Sequence, residues 1–85
     1  MMSSKLKEWW DLRKKVEEHI SNYVLPQYGD YPDEMLEGFD VKDVQTQLKR
    51  YVGRVGTNAR GQEESLRDCL KIAHYACILR GKLKG

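Results

Sequence analysis

The stretch VKDVQTQLKRYVGRVG, residues 41–56, followed after TNARG by QEESLRDCLKIAHYACILRGKL, residues 62–83, decides the fold. In its first part Val41, Val44, Leu48, Tyr51 or Val52, and Val55 give a narrow heptad-like stripe, the mark of a helix with one apolar face. Asp40 stands where an N-cap accepts a backbone N–H, and Asp43 three residues on completes a box-like start. Gly56 is the expected left-handed terminator. Gly53, inside the helix, costs on the order of 1 kcal/mol relative to alanine, and is tolerable if another backbone or a ligand comes close.

In the second part Glu63 and Glu64 sit where the positive end of a helix favours acids. Leu66, Cys69, Leu70, Ile72, Ala73, Ala76, Cys77, Leu79 and Leu83 then cover roughly half of the helix circumference. So broad an arc predicts a central helix packed on two sides, one of them against a symmetry mate. The small residues Ala73, Ala76 and Cys77 would let that neighbour approach closely.

Towards the N-terminus, Ser3 or Ser4 caps a helix that runs to about residues 22–24 and is stopped by Pro26. Leu6, Trp9, Leu12, Val16, Ile20 and Tyr23 form its buried stripe, and Trp10 falls outside it. Residues 25–40, LPQYGDYPDEMLEGFD, read as an ordered loop pinned to the helices by Met35, Leu36 and Phe39. The expected fold is therefore all-α, a single domain over residues 1–85. Its three helices cover about 4–24, 41–55 and 62–83, with an antiparallel C-terminal helical hairpin in an oligomeric bundle.

At 85 residues, 40% hydrophobic and 33% charged, the chain is one small domain. A chain this short buries only roughly 60% of its unfolded surface, so a partner subunit is the expected source of further core and a homo-oligomer the default. No stretch approaches the ~18–20 apolar residues that span a bilayer. The expectation is no membrane partner, no secretion signal and a cytoplasmic location. Cys69 and Cys77 would lie about 12 Å apart along one helix, too far for a disulfide with each other. They read as two small buried side chains in a reducing compartment.

Net charge is +2, but residues 1–40 carry five basic and nine acidic side chains and residues 41–85 carry ten and four. Such segregation suits pairing between parts of one chain, pairing between subunits, or a basic surface that meets phosphate. The near-neutral balance and the lack of a Lys/Arg run disfavour duplex nucleic acid.

For phosphate the candidates are Arg50 and Arg54 one turn apart, Arg60 in the connection and Arg67 one turn into the last helix, since guanidinium groups grip phosphate oxygens in pairs. They converge if the last two helices form the hairpin. Tyr51 or Tyr75 would stack on a base, a contact worth roughly 1–3 kcal/mol. Glu64, Asp68, Lys71 and Tyr75 are spaced four, three and four, and so share one side of the helix. Glu64 and Asp68, a turn apart, are of the kind that hold Mg²⁺ through oxygen ligands, equally the ordinary complement of a helix dipole. Lys71 and His74 are secondary candidates, His74 as a general base with no identifiable nucleophile beside it. No phosphate loop and no GxGxxG is present.

Tyr51-Val-Gly-Arg54-Val-Gly56, followed by Asp68-x-x-Lys71 and His74-Tyr75, resembles the pattern of a phage-associated family of small helical proteins, the DUF3310 or "nucleotide kinase-like" group, over about residues 48–77. Thr57 and Asn58 stand where that family commonly has lysine. The text ESLRDCLKIAHYACIL is also similar to the later helix of all-helical nucleotide pyrophosphohydrolases of the MazG type, with Glu63, Glu64 and Asp68 present from one of their two carboxylate clusters. These resemblances imply a phage or prophage protein that handles a nucleotide or nucleotide-derived ligand in the bacterial cytoplasm. Low mass, oligomer-prone helices and convergent arginines also suit a small phage oligomer that sequesters cyclic nucleotide signals of host defence, although no motif of such proteins is present.

The leading expectation is binding of such a phosphate ligand without turnover and without a cofactor. One alternative is a MazG-like or kinase-like enzyme, which would use Mg²⁺. Another is an interaction module that docks on a host protein through Trp10, the aromatic loop and the charge asymmetry.

Overall fold

Ser3 opens the first helix, its Oγ accepting the Leu6 N–H at 3.0 Å. The computed structural model describes residues 3–29, 38–57 and 61–85. Helix α1, Ser4–His19, continues without a break through a π-helical turn, Ile20–Val24, into the short α2, Leu25–Tyr28. Pro26 therefore does not stop the helix as its sequence predicts. Proline has no N–H for the carbonyl four residues back, and its ring crowds that carbonyl. The wider π turn just before it, in which the Leu25 N–H donates to the Ile20 carbonyl, relieves both problems. The helix ends instead at Gly29, whose φ of 79° only glycine adopts at no steric cost and whose N–H donates to the Leu25 carbonyl at 2.9 Å. Of the expected loop 25–40, residues 25–28 are thus helical, and Met35 and Leu36 lie outside the described residues.

Helix α3, Val41–Val55, starts on the expected reciprocal cap. The Asp43 N–H donates to Asp40 Oδ1 at 2.9 Å and the Asp40 N–H to Asp43 Oδ2 at 3.0 Å. Its end differs from expectation. Gly56 has a φ of −99°, outside the left-handed region, and Thr57 does the capping. The Thr57 N–H and hydroxyl both donate to the Arg54 carbonyl, at 3.2 and 2.9 Å. Among the described residues no atom beyond its own stretch of helix lies within 4 Å of where a Gly53 Cβ would stand, so no other backbone comes close there.

Helix α4, Gly61–Leu83, is the longest element, with Glu63 and Glu64 in its first turn and Arg80 and Lys82 in its last. The architecture is all-helical in three rods. Among the described residues there is no strand, and no helix is long and apolar enough to cross a membrane.

Helix α3 packs most extensively on α4, and α1 leans on α4 less closely. The consequence is a thin core: among the described residues Val44 is the only apolar side chain that is wholly buried. The α1 stripe is buried in part only. Leu12, Val16 and Ile20 are half-buried, whereas Leu6, Trp9 and Tyr23 are exposed, because α4 covers only one side of the rod. Cys69 and Cys77, expected inside, are both exposed, since α1 and α3 cover α4 on one side and leave the other open. The radius of gyration, 14.0 Å, exceeds the ~12 Å of a compact chain of this length.

Candidate functional site: a cationic, tyrosine-walled cleft

Where the three rods meet, α1 and α2 diverge from the α3–α4 pair and leave a cleft of about 540 Å³. Each element contributes by its own periodicity. His19, Tyr23 and Gln27 stand at four-residue intervals on one face of the first rod, with Tyr28 beside them. Helix α3 adds Gln47, Arg50 and Tyr51, and α4 adds Arg67, Lys71, His74, Tyr75 and Ile78 at three- and four-residue spacing. Among the described residues lining the cleft there is no carboxylate.

Six of the sequence-derived candidates therefore come together: Arg50, Arg67, Tyr51, Tyr75, Lys71 and His74. Arg54 does not join them. Its Nε and Nη2 donate to Asp68 Oδ2 and Oδ1 at 2.8 and 2.7 Å, a paired geometry that fixes both groups in place. The Asp68 hydrogen bonds raise the Arg54 pKa above its ordinary value, so this guanidinium is committed to the fold. Asp68 is 2% exposed, and both of its oxygens point at Arg54, with the Lys71 Nζ 3.9 Å from Oδ1. Glu64, the other carboxylate considered for Mg²⁺, accepts from Arg67 Nη1 at 2.9 Å. Arg60 lies outside the described residues.

Tyr51 is the hub of the cation cluster. The guanidinium carbons of Arg54 and Arg50 lie 4.9 and 5.5 Å from its ring centroid, the Lys71 Nζ lies 5.5 Å away, and the Tyr75 ring packs at 5.5 Å with a 42° tilt. Electron-rich ring faces hold cations in this way. Tyr51 is thus surrounded by charge, and the more open rings on the cleft are Tyr23 and Tyr28.

His19 stands on the first rod's side of the cleft. Burial, then the positive charges of Lys71 and Arg67, lower its pKa below the ordinary value of 6.5. Its ring stands 5.7 Å from that of Tyr23. Sequence reasoning missed His19, Tyr23, Gln27, Tyr28 and Gln47. The available signal was the four-residue spacing of His19, Tyr23 and Gln27, which continues past Pro26 only if the helix does.

Comparison with protein-family models, curated proteins and solved structures finds no match to this chain.

Proposed function

We propose that this protein binds a small phosphate-bearing aromatic ligand of the nucleotide class, cyclic forms included, in the cleft between its three rods, and holds it without turnover. The observation that carries this reading is the convergence of Arg50, Arg67 and Lys71 on one cleft with tyrosine walls and no carboxylate among its described lining residues. Guanidinium and ammonium groups suit phosphate oxygens, and Tyr23, Tyr28 and Tyr75 offer ring surface to a base. Burial first, and then the positive charges of Lys71 and Arg67, lower the pKa of His19, and an anion in the cleft would offset the second and third of these causes. Cations, phenols and side-chain amides suit binding and orientation more than nucleophilic chemistry.

The same reading includes a phage-type origin, carried by the resemblance of Tyr51–Gly56 and Asp68–Tyr75 to the nucleotide kinase-like family, and action in the bacterial cytoplasm on a host-defence signal. It includes the antiparallel hairpin of α3 and α4, supported by contacts that run in reverse chain order, Arg54 with Asp68 and Tyr51 with Tyr75. It also includes self-association, supported by the thin core.

Isothermal titration with nucleoside mono- and diphosphates, cyclic mono- and dinucleotides and inorganic phosphate tests the reading. The expected result is a Kd tighter than about 1 mM for at least one nucleotide, or more than about 4 kcal/mol of binding free energy. It should be weakened in Arg50→Ala and Arg67→Ala. Absence of heat across the panel overturns it.

A further inference from the structure

The open side of α4 carries Leu66, Cys69, Ala73, Ala76, Cys77 and Leu83 with Arg80 among them, and Leu66 and Cys69 also line the groove towards α1. At a helical repeat these six fall within about a third of the circumference. Five are exposed and Ala73 is half-buried, with Leu66 at 59% and Leu83 at 67%. Trp9 of α1, 55% exposed, borders the shallow groove that Leu66 also lines.

We infer that this face of α4 seats a second copy of this chain, whose own α4 crosses it in the opposite direction to form a twofold dimer. The inference deepens the self-association proposed above and rests on it. Three independent observations support it.

The first is area. The chain exposes 6770 Å², whereas a folded monomer of 10.0 kDa exposes about 5,200 Å². The excess, about 1,500 Å², is summed over the whole chain, the open cleft included, and leaves room for an interface of the size one subunit contributes to an obligate pair.

The second is charge. At the edge of this face exposed Glu63 stands near the start of α4 and exposed Arg80 and Lys84 near its end, whereas Glu64 is paired with Arg67 on the other side. An antiparallel neighbour sets the acidic end of each helix against the basic end of the other and opposes the two helix dipoles. A parallel neighbour sets like charge on like. The third is shape, because Ala73 and Ala76 at the centre let two helix backbones approach closely, with the large residues Leu66 and Leu83 towards the ends.

A twofold axis near Ala73 brings Cys69 of one copy opposite Cys77 of the other. Within one chain the two are about 12 Å apart along the helix, beyond a short crosslink. None of the six residues lines the ligand cleft, so failure of the nucleotide titration leaves this inference standing.

The test begins with light scattering on the full chain, where the expected mass is twice the 10.0 kDa of one copy. Ala76→Arg, at an exposed position, should return that mass to a single copy with unchanged helical circular dichroism. The second measurement uses Cys69→Ser and Cys77→Ser with dibromobimane, a short thiol crosslinker. Each variant alone should stay uncrosslinked, whereas an equal mixture of the two should give a covalent dimer. A single-copy mass for the unmodified protein overturns self-association and this inference together. A dimer in which either variant crosslinks to itself, or in which the mixture fails to crosslink, overturns the antiparallel face while self-association stands.

Discussion

Arg54, in the last turn of α3, places two N–H groups on the two oxygens of Asp68, fourteen residues away in α4, at 2.8 and 2.7 Å. The carboxylate is 2% exposed and the guanidinium side chain 25%. This contact clamps the end of one helix to the start of the next. It ties up both an arginine and a carboxylate away from the cleft, while Glu64 stays paired with Arg67 at 2.9 Å.

Arg54→Met leaves the Asp68 carboxylate buried with its main partner gone, which is more damaging than losing both members of a pair. The expected fall in Tm is on the order of 10 °C. Adding Asp68→Asn should recover part of it, and thermal melts of the two single variants and the double variant measure the coupling. Equal losses that simply add would show that the pair does not hold the helices together.

Val44 is wholly buried between the rods. Val44→Ala removes two methyl groups and leaves a void, at an expected cost of about 2 kcal/mol. Urea titration should show a lower midpoint at an unchanged slope. The same substitution at exposed Val52 should cost less than about 0.5 kcal/mol.

The folded-state pKa of His19 lies below its unfolded value of 6.5, through burial first and then Lys71 and Arg67. The unfolded chain therefore takes up its proton first as pH falls, and the contribution of this group is present above pH 6.5 and lost as pH drops through the folded pKa. An anion in the cleft leaves the burial in place but offsets Lys71 and Arg67, the smaller causes. Nucleotide affinity should accordingly tighten as pH falls from 7.5 towards the folded pKa of His19. His19→Asn should flatten both trends, as read by thermal melts and by titration at several pH values.

Asp40 gives a separate signature at lower pH. The Asp43 N–H, the largest cause, holds its pKa below the ordinary 3.8. The cap is intact above that value and is lost as pH falls through the depressed pKa. Asp40→Asn keeps an oxygen for the Asp43 N–H but no charge, so it should remove this low-pH loss while leaving most of the helix content of α3 at neutral pH. Circular dichroism against pH checks it.

Ligand binding should depend on salt, because Arg50, Arg67 and Lys71 act as charges at a cleft open to solvent. Arg50→Ala should weaken nucleotide binding about 10-fold or more, the usual worth of a hydrogen bond to a charged group. Arg50 has no ion pair among the described residues, so the change should leave Tm nearly unaltered. A large fall in Tm with unchanged affinity would assign Arg50 to the fold instead.

Local chemistry was legible along the chain. The spacing of Val41, Val44 and Leu48 and the Asp40–Asp43 cap placed α3 to the residue, and the acids at Glu63 and Glu64 marked where α4 begins. These signals work because a helix is set by contacts three or four residues away, which the sequence displays directly. The passage of the first rod through Pro26 was not legible. It depends on a π turn whose hydrogen bond skips one residue further than the periodicity shows.

Burial and the site were decided only in three dimensions. Periodicity marks which side chains are apolar, but only the packing of α1 and α3 on one side of α4 determines that Cys69 and Cys77 stay exposed. Spacing likewise offered Arg50, Arg54, Arg60 and Arg67 as equals. Tertiary contact separated them: Arg54 found a buried carboxylate fourteen residues away, and Arg50 and Arg67 were left on the cleft. Partners from different helices meet by packing, a long-range event that no local repeat in the chain records.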